Sequence, residues 1–344
     1  MRKAFLAACM LAGATLPAQA WDYPGHRIVG AIADMVLQQH HKDTFQRLHR
    51  LIDQHDWRGN VTERRTLREV AVFPDCARND EEYCGRKPTA EEIDYVLRNL
   101  VHKSFHFTNT PFQQKTYLAR GVGASDTDVV QMITHAFKQL SDKKQPFKPE
   151  VKLTDAEAIW LLAHLVGDIH QPLHVGQIYF DSSCKVVVNP NDPNDRDKGH
   201  VSTFGGNSIK FEPKAPTVPP APSLHIYWDS TAVARAMHAD GYADAEQAFA
   251  KSLALKPPPK WETDGTPDTW AEKWVAEVLP VAAEAYTRKD LNIDGKLDSQ
   301  RGCQWTAEIA DTYEKWAQDR AREQLQKAGF RLAAILVEAL KPKP

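Results

Sequence analysis

Apolar residues recur at helical spacing along most of this chain. Ile28, Ile32, Met35 and Val36 form one stripe after Pro24-Gly25. Thr89-Ala-Glu-Glu92 reads as a capping box ahead of Ile93, Val96, Leu97 and Leu100. A third helix is expected from Ser125, carrying Val129, Ile133, Ala136, Phe137 and Leu140. Thr154-Asp-Ala-Glu157 caps a fourth whose Ala158, Ile159, Trp160, Leu161, Leu162, Leu165 and Val166 leave almost no polar face, the mark of a central buried helix. Leu325, Leu332, Leu336 and Leu340 mark a last amphipathic helix.

Strand signals are few: Ser208–Phe211 and Lys185–Val188. Asn189–Gly199, Pro213–Pro222 and the segment starting at Asp290 read as loops. Asp290-Leu-Asn-Ile-Asp-Gly295 resembles the start of an EF-hand loop, but its twelfth position is Arg301 instead of glutamate. No composition break separates two cores, so the pattern predicts one mostly helical domain.

Composition agrees with a globular protein. The chain has 344 residues, 42% hydrophobic and 26% charged, with mean hydropathy −0.50. Disorder, collagen-like repeats and a polytopic membrane protein are excluded. One short apolar run, Ala4–Ala14 behind Arg2 and Lys3, ends at Ala18-Gln19-Ala20, an A-x-A cleavage signature. Residues 1–20 are therefore expected to be a secretion signal, and the mature chain to begin at Trp21. Losing Arg2 and Lys3 takes the formal charge from −2 to −4, which leaves no overall basic field for an anionic substrate. Four cysteines (Cys76, Cys84, Cys184 and Cys303) follow Trp21, an even set in an exported protein. They allow three pairings; short separation favours Cys76 with Cys84, leaving Cys184 with Cys303, and buried thiols are the alternative.

Chemistry concentrates in Leu161–His174. His164 and Asp168 stand four apart on the expected buried helix, so their side chains leave the same face. His225 and Asp229 repeat the spacing. Such a pair can be an ordinary hydrogen-bonded couple. On an otherwise apolar helix, however, an imidazole and a carboxylate are costly to bury unless partnered, and zinc partners both. His170 and His174 follow at once, with Pro172 expected to end the helix.

His164-Leu-Val-Gly-Asp-Ile-His-Gln-Pro-Leu-His174, together with Trp21 behind the cleavage site and His225-Ile-Tyr-Trp-Asp229, resembles the S1/P1 nucleases, relatives of zinc-dependent phospholipase C. The resemblance runs from Trp21 to the closing helix and implies an all-α fold of that type with a minor β-hairpin. It also implies three zinc ions. Asp75, His106, His164 and Asp168 match the ligands of one. Trp21, through its α-amine and carbonyl oxygen, and His26 match those of a second, with Asp168 bridging. His174, His225 and Asp229 match those of the third. A free α-amine loses its proton readily to a metal, so signal removal would act as an activation step. Three zincs and three aspartates would leave about +3 locally, replacing the missing basic field.

By the same resemblance, Arg78 stands where a basic residue meets the scissile phosphate, and Phe107 and Asn207 where a base stacks and hydrogen-bonds; a surface salt bridge, a core phenylalanine and a turn asparagine are the alternatives. Asp75 and Asp168 belong to the catalytic centre. His170 reads as a supporting residue, while His40, His41 and His135 carry no motif. About 27 residues, Gln177–Thr203, have no counterpart in the family pattern, and Phe73 replaces its usual tryptophan.

The implied activity is hydrolysis of single-stranded DNA and RNA to 5′-phosphorylated products, with 3′-nucleotidase action on nucleotides. The implied protein is a periplasmic or secreted monomer with no stable protein partner. A zinc-dependent phospholipase C and a zinc-storage protein are the competing readings. The five-residue step from Trp21 to His26, and aspartate instead of glutamate at Asp229, argue against the first; Arg78, Phe107 and Asn207 argue against the second.

Overall fold

The computed structural model describes residues 21–55, 58–78, 84–141, 151–211 and 221–342. The expected signal segment and most of the Pro213–Pro222 loop lie outside them. The described chain is mainly helical with small sheets. Its helices are α1 (Tyr23–His40), α2 (Lys42–Ile52), α3 (Leu67–Val70), α4 (Phe73–Cys76), α5 (Ala90–Arg98), α6 (Val129–Leu140), α7 (Asp155–Asp168), α8 (Pro172–Val175), α9 (Leu224–Ile226), α10 (Ala232–Ala239), α11 (Glu246–Ala254), α12 (Trp270–Thr287) and α13 (Asp311–Ala339). A π-turn, Tyr227–Thr231, joins α9 to α10.

α7 is the axis. Thr154 accepts from Glu157 N (3.1 Å) and Glu157 from Thr154 N (2.8 Å), closing the capping box that the sequence announces. Every residue from Glu157 to Asp168 is buried, against α6, α1 and α13. Each buried Leu, Ile or Val here contributes about 1.5–3 kcal/mol of transfer free energy. α1 packs in turn on α13, α11 and α3. Its crossing with α13 is close enough that a Cβ on Gly329 would lie 2.5 Å from Ile32 Cβ.

Several local expectations change. The third helix begins at Val129, not Ser125, because Asp128 is its cap and accepts from Val130 N and Gln131 N. Pro172 does not end α7, which stops at Asp168; it opens α8, where a missing N–H costs nothing. The last helix starts at Asp311, well before Leu325. The capping box of α5 forms as expected, but most of its apolar stripe faces outward: Ile93, Leu97 and Leu100 are exposed, Val96 is half-buried against the core, and Tyr95 and Glu92 are buried. Ion pairing of Glu92 with Arg86 (2.6 Å) lets a carboxylate take the inner face.

Asp290–Gly295 is not a loop. It lies at the start of a strand, and three strands, β1 (Ile209–Phe211), β2 (Leu291–Asp298) and β3 (Gly302–Ile309), form a sheet in the order β1-β3-β2. The long β2–β3 hairpin is antiparallel, and β1 runs parallel to β3. The segment Gln177–Thr203 makes a small antiparallel sheet of its own from Tyr179–Phe180, Val187–Val188 and Val201–Ser202. Disulfides join Cys76 to Cys84 and Cys184 to Cys303. The second ties this segment to β3, where Phe180 also stacks on Trp305 at 5.3 Å. No helix of the described residues is long and apolar enough to cross a membrane.

Candidate metal centre

Buried histidines and aspartates gather where α1, α4, α7, α8 and the α9–π-turn segment meet. Three groups bring their ligand atoms within 4.8 Å of one another: His26, His164 and Asp168; Asp75, His106 and His164; and His174, His225 and Asp229. All eight side chains are buried. Asp168 sits at the centre. Its Oδ2 lies 3.2 Å from His106 Nδ1 and from His164 Nε2; its Oδ1 lies 3.4 Å from His26 Nε2 and 3.9 Å from His174 Nδ1. One carboxylate therefore faces two groups, and His164 is common to the same two.

Backbone carbonyls aim the rings. His164 Nδ1 meets Ala71 O (2.6 Å), His174 Nδ1 meets His106 O (2.8 Å) and His225 Nδ1 meets Gly205 O (2.7 Å). A carbonyl only accepts, so each Nδ1 carries the hydrogen and each Nε2 turns its lone pair into the site. Phe73, the first residue of the short helix that presents Asp75, packs on Trp160 (4.4 Å) and serves as a wall there.

The atoms left over fit a cation. Both ring nitrogens of His26, both oxygens of Asp75 and of Asp168, His174 Nε2 and Asp229 Oδ2 are buried without a hydrogen-bond partner. Buried polar groups are rarely left so unless something else binds them. The electrostatics agree. Burial pushes Asp75 and Asp168 up, but neighbouring imidazoles, and Arg78 beside Asp75, outweigh it and hold both carboxyls below their ordinary value, Asp168 well below. Burial lowers His174, yet Asp229 and Asp168 overcome it and raise the imidazole to about 9. Burial instead takes His106 down to about 4. Three buried carboxylates demand positive charge, which without metal falls to the rings as protons, and imidazole nitrogen with carboxylate oxygen is a donor set that zinc takes.

Trp21 is buried at the edge of this cluster. Its indole donates to Gly167 O (2.8 Å), and Asp22 N donates to Asp229 O (3.0 Å), which holds the Trp21 main chain against the third group. Arg78 stands 3.5 Å from Asp75 Oδ1. Phe107, half-buried, follows His106. Asn207 spends its amide nitrogen on Phe204 O (2.8 Å) within the same turn. His170 joins none of the groups: its Nδ1 meets Val166 O (2.7 Å), and its Nε2 takes a hydrogen from buried Arg331 (2.9 Å).

Against known families, residues 21–341 match the model of the S1/P1 Nuclease family. The chain belongs to the S1/P1 nuclease family. No curated protein matches it. As an S1/P1 nuclease it is a zinc-dependent hydrolase of phosphodiester bonds in nucleic acid, and its three His/Asp groups can hold metal.

Three residues of this S1/P1 centre escape sequence reasoning. Gln171 and Gln177, both fully buried, hydrogen-bond into the third group or its support; the only sequence cue was the place of Gln171 between His170 and Pro172, inside the ligand-rich run, and it does not name a partner. Phe204 is 67% exposed and has φ +52°, a strained conformation for a bulky residue, next to the glycine that holds His225. No sequence pattern marks it.

Proposed function

We propose that the mature chain, Trp21 to Pro344, is the catalytic domain of an exported, monomeric three-zinc nuclease. It cleaves single-stranded DNA and RNA to 5′-phosphorylated products and also removes phosphate from 3′-nucleotides. Residues 1–20 are its secretion signal, and its destination is the periplasm or the exterior. The observation that carries this reading is the close packing of three buried His/Asp ligand groups, each with donor atoms that lack hydrogen-bond partners: those of His26 and Asp168 in one, of Asp75 in another, and His174 Nε2 and Asp229 Oδ2 in the third.

Asp75, His106, His164 and Asp168 would hold the first zinc, the Trp21 terminus, His26 and Asp168 the second, and His174, His225 and Asp229 the third. Zinc bound there supplies a water that ionises near neutral pH and positive charge to offset a phosphodiester. The rest falls to the chain's own groups. Arg78, next to Asp75, neutralises charge growing on the phosphate in the transition state. Phe107 offers a face for one base, and Asn207 an amide edge. A stacked, splayed base suits a single strand better than a duplex.

The test is to assay purified protein beginning at Trp21 on single-stranded DNA, RNA, a 3′-nucleotide and phosphatidylcholine, before and after chelation and zinc restoration. Zinc-restored cleavage of both nucleic acids and of the 3′-nucleotide is expected, with little lipid turnover. Lipid turnover alone, or none of the four reactions with zinc bound, would overturn it.

A further inference from the structure

Gln171 touches both parts of the cluster. Its backbone N donates to Asp168 O (2.9 Å), and its backbone O accepts from His174 N (3.0 Å). Its side chain crosses to the third group, where Nε2 donates to Asp229 Oδ1 at 2.5 Å. The orientation of the amide follows from chemistry. Oε1 faces Leu173 N at 2.5 Å; a backbone N–H can only donate, so the oxygen must be there and the NH2 must face Asp229. Asp229 Oδ1 is thus engaged, which leaves Oδ2, 3.3 Å from His225 Nε2 and without a hydrogen-bond partner.

We propose that Gln171 is a positioning residue that sets the affinity of the third metal group, by fixing Asp229 and its spacing from Asp168. The proposal rests on the three-zinc reading and deepens it. Gln177 provides a parallel arm: its Oε1 accepts from Gly205 N (2.7 Å), and Gly205 O accepts from His225. Aspartate, like histidine, then reaches the metal pre-aimed, and loss of such a partner typically weakens metal binding 10–100-fold. The first two groups do not depend on this amide, since Ala71 and Asp168 orient them.

The experiment is chelator-competition titration of zinc-loaded protein, comparing the parent with Gln171→Leu and Gln171→Asn. Asparagine keeps an amide able to bond two residues ahead but is one methylene too short to reach Asp229, so it separates the long bond from local structure. Both variants should hold one zinc about 10–100-fold more weakly and the others unchanged. In an Asp229→Ala background, Gln171→Leu should add less than about twofold. Unchanged affinity for every zinc, equal weakening of all of them, or the same loss without Asp229 overturns the proposal. Zinc binding is the readout, so a protein that binds three zincs yet cleaves no nucleic acid refutes the proposed function alone.

Discussion

The imidazole of His26 lies stacked on that of His164, with ring centroids 3.7 Å apart and planes 14° from parallel. His26 comes from α1 and His164 from α7, so the two helices are coupled through a pair of rings that cannot both be cations. Burial and the neighbouring His164 lower His26, while Asp168 and Asp75 raise His164 against burial. A metal satisfies both rings and the carboxylates between them. Zinc should therefore stabilise the fold by about 2.7 kcal/mol per site at a hundredfold excess over Kd. Calorimetry with and without chelator checks this; an unchanged Tm would count against metal in the cluster.

Arg78→Ala should leave zinc content intact and cut turnover of single-stranded DNA by about 10²–10³-fold, the usual cost of losing one donor to transition-state charge. Metal analysis beside steady-state kinetics separates the two effects. Normal turnover would remove Arg78 from the reaction.

Extra residues in front of Trp21 convert its amine to an amide, which has no lone pair to give. Protein carrying such an extension should bind one zinc fewer and lose most activity, with both regained after proteolytic trimming to Trp21. Full zinc content with the extension present would exclude the terminus as a ligand.

Asp34 on α1 is pushed up to about 7 by burial, although backbone N–H groups of Leu67 and Arg68 oppose the shift. Its unfolded value is near 3.8. From about pH 4 to 7 the unfolded chain releases a proton that the folded chain keeps, so rising pH costs the native state stability. Asp34→Asn escapes this. In urea unfolding its advantage should grow between pH 4 and 7 to at most roughly 4 kcal/mol, then level off. A pH-independent difference would refute the assignment.

How far the sequence spoke depended on how local each cause was. Thr154 with Glu157 and Thr89 with Glu92 signal helix starts through bonds three residues long, and both capping boxes form. α7 is buried from Glu157 to its end, as the apolar run Ala158–Ala163 implies. The outward stripe of α5 was illegible because the Arg86–Glu92 pair reverses which face is tolerated inside. β2 was missed because its inward positions, Leu291, Ile293 and Gly295, include a glycine and alternate with Asn292, Asp294 and Lys296, a turn-like composition. At the centre, ligand-type residues were visible through their motifs, whereas Gln171 and Gln177 act across 58 and 28 positions, distances at which no periodicity operates.

The crossing of Gly329 over Ile32 has a consequence for the order of assembly. α1 carries His26 near the start of the described residues, and α13, which backs it, is the last of the described helices in chain order. The helix bearing an early ligand can meet α3, α7 and α11 sooner, but it lacks its broadest neighbour until almost three hundred further residues exist. Such long-range closure belongs late in folding. Truncation within α13, far in sequence from any ligand, should loosen the metal centre, because the first helix would keep α3, α7 and α11 but lose the face that α13 covers.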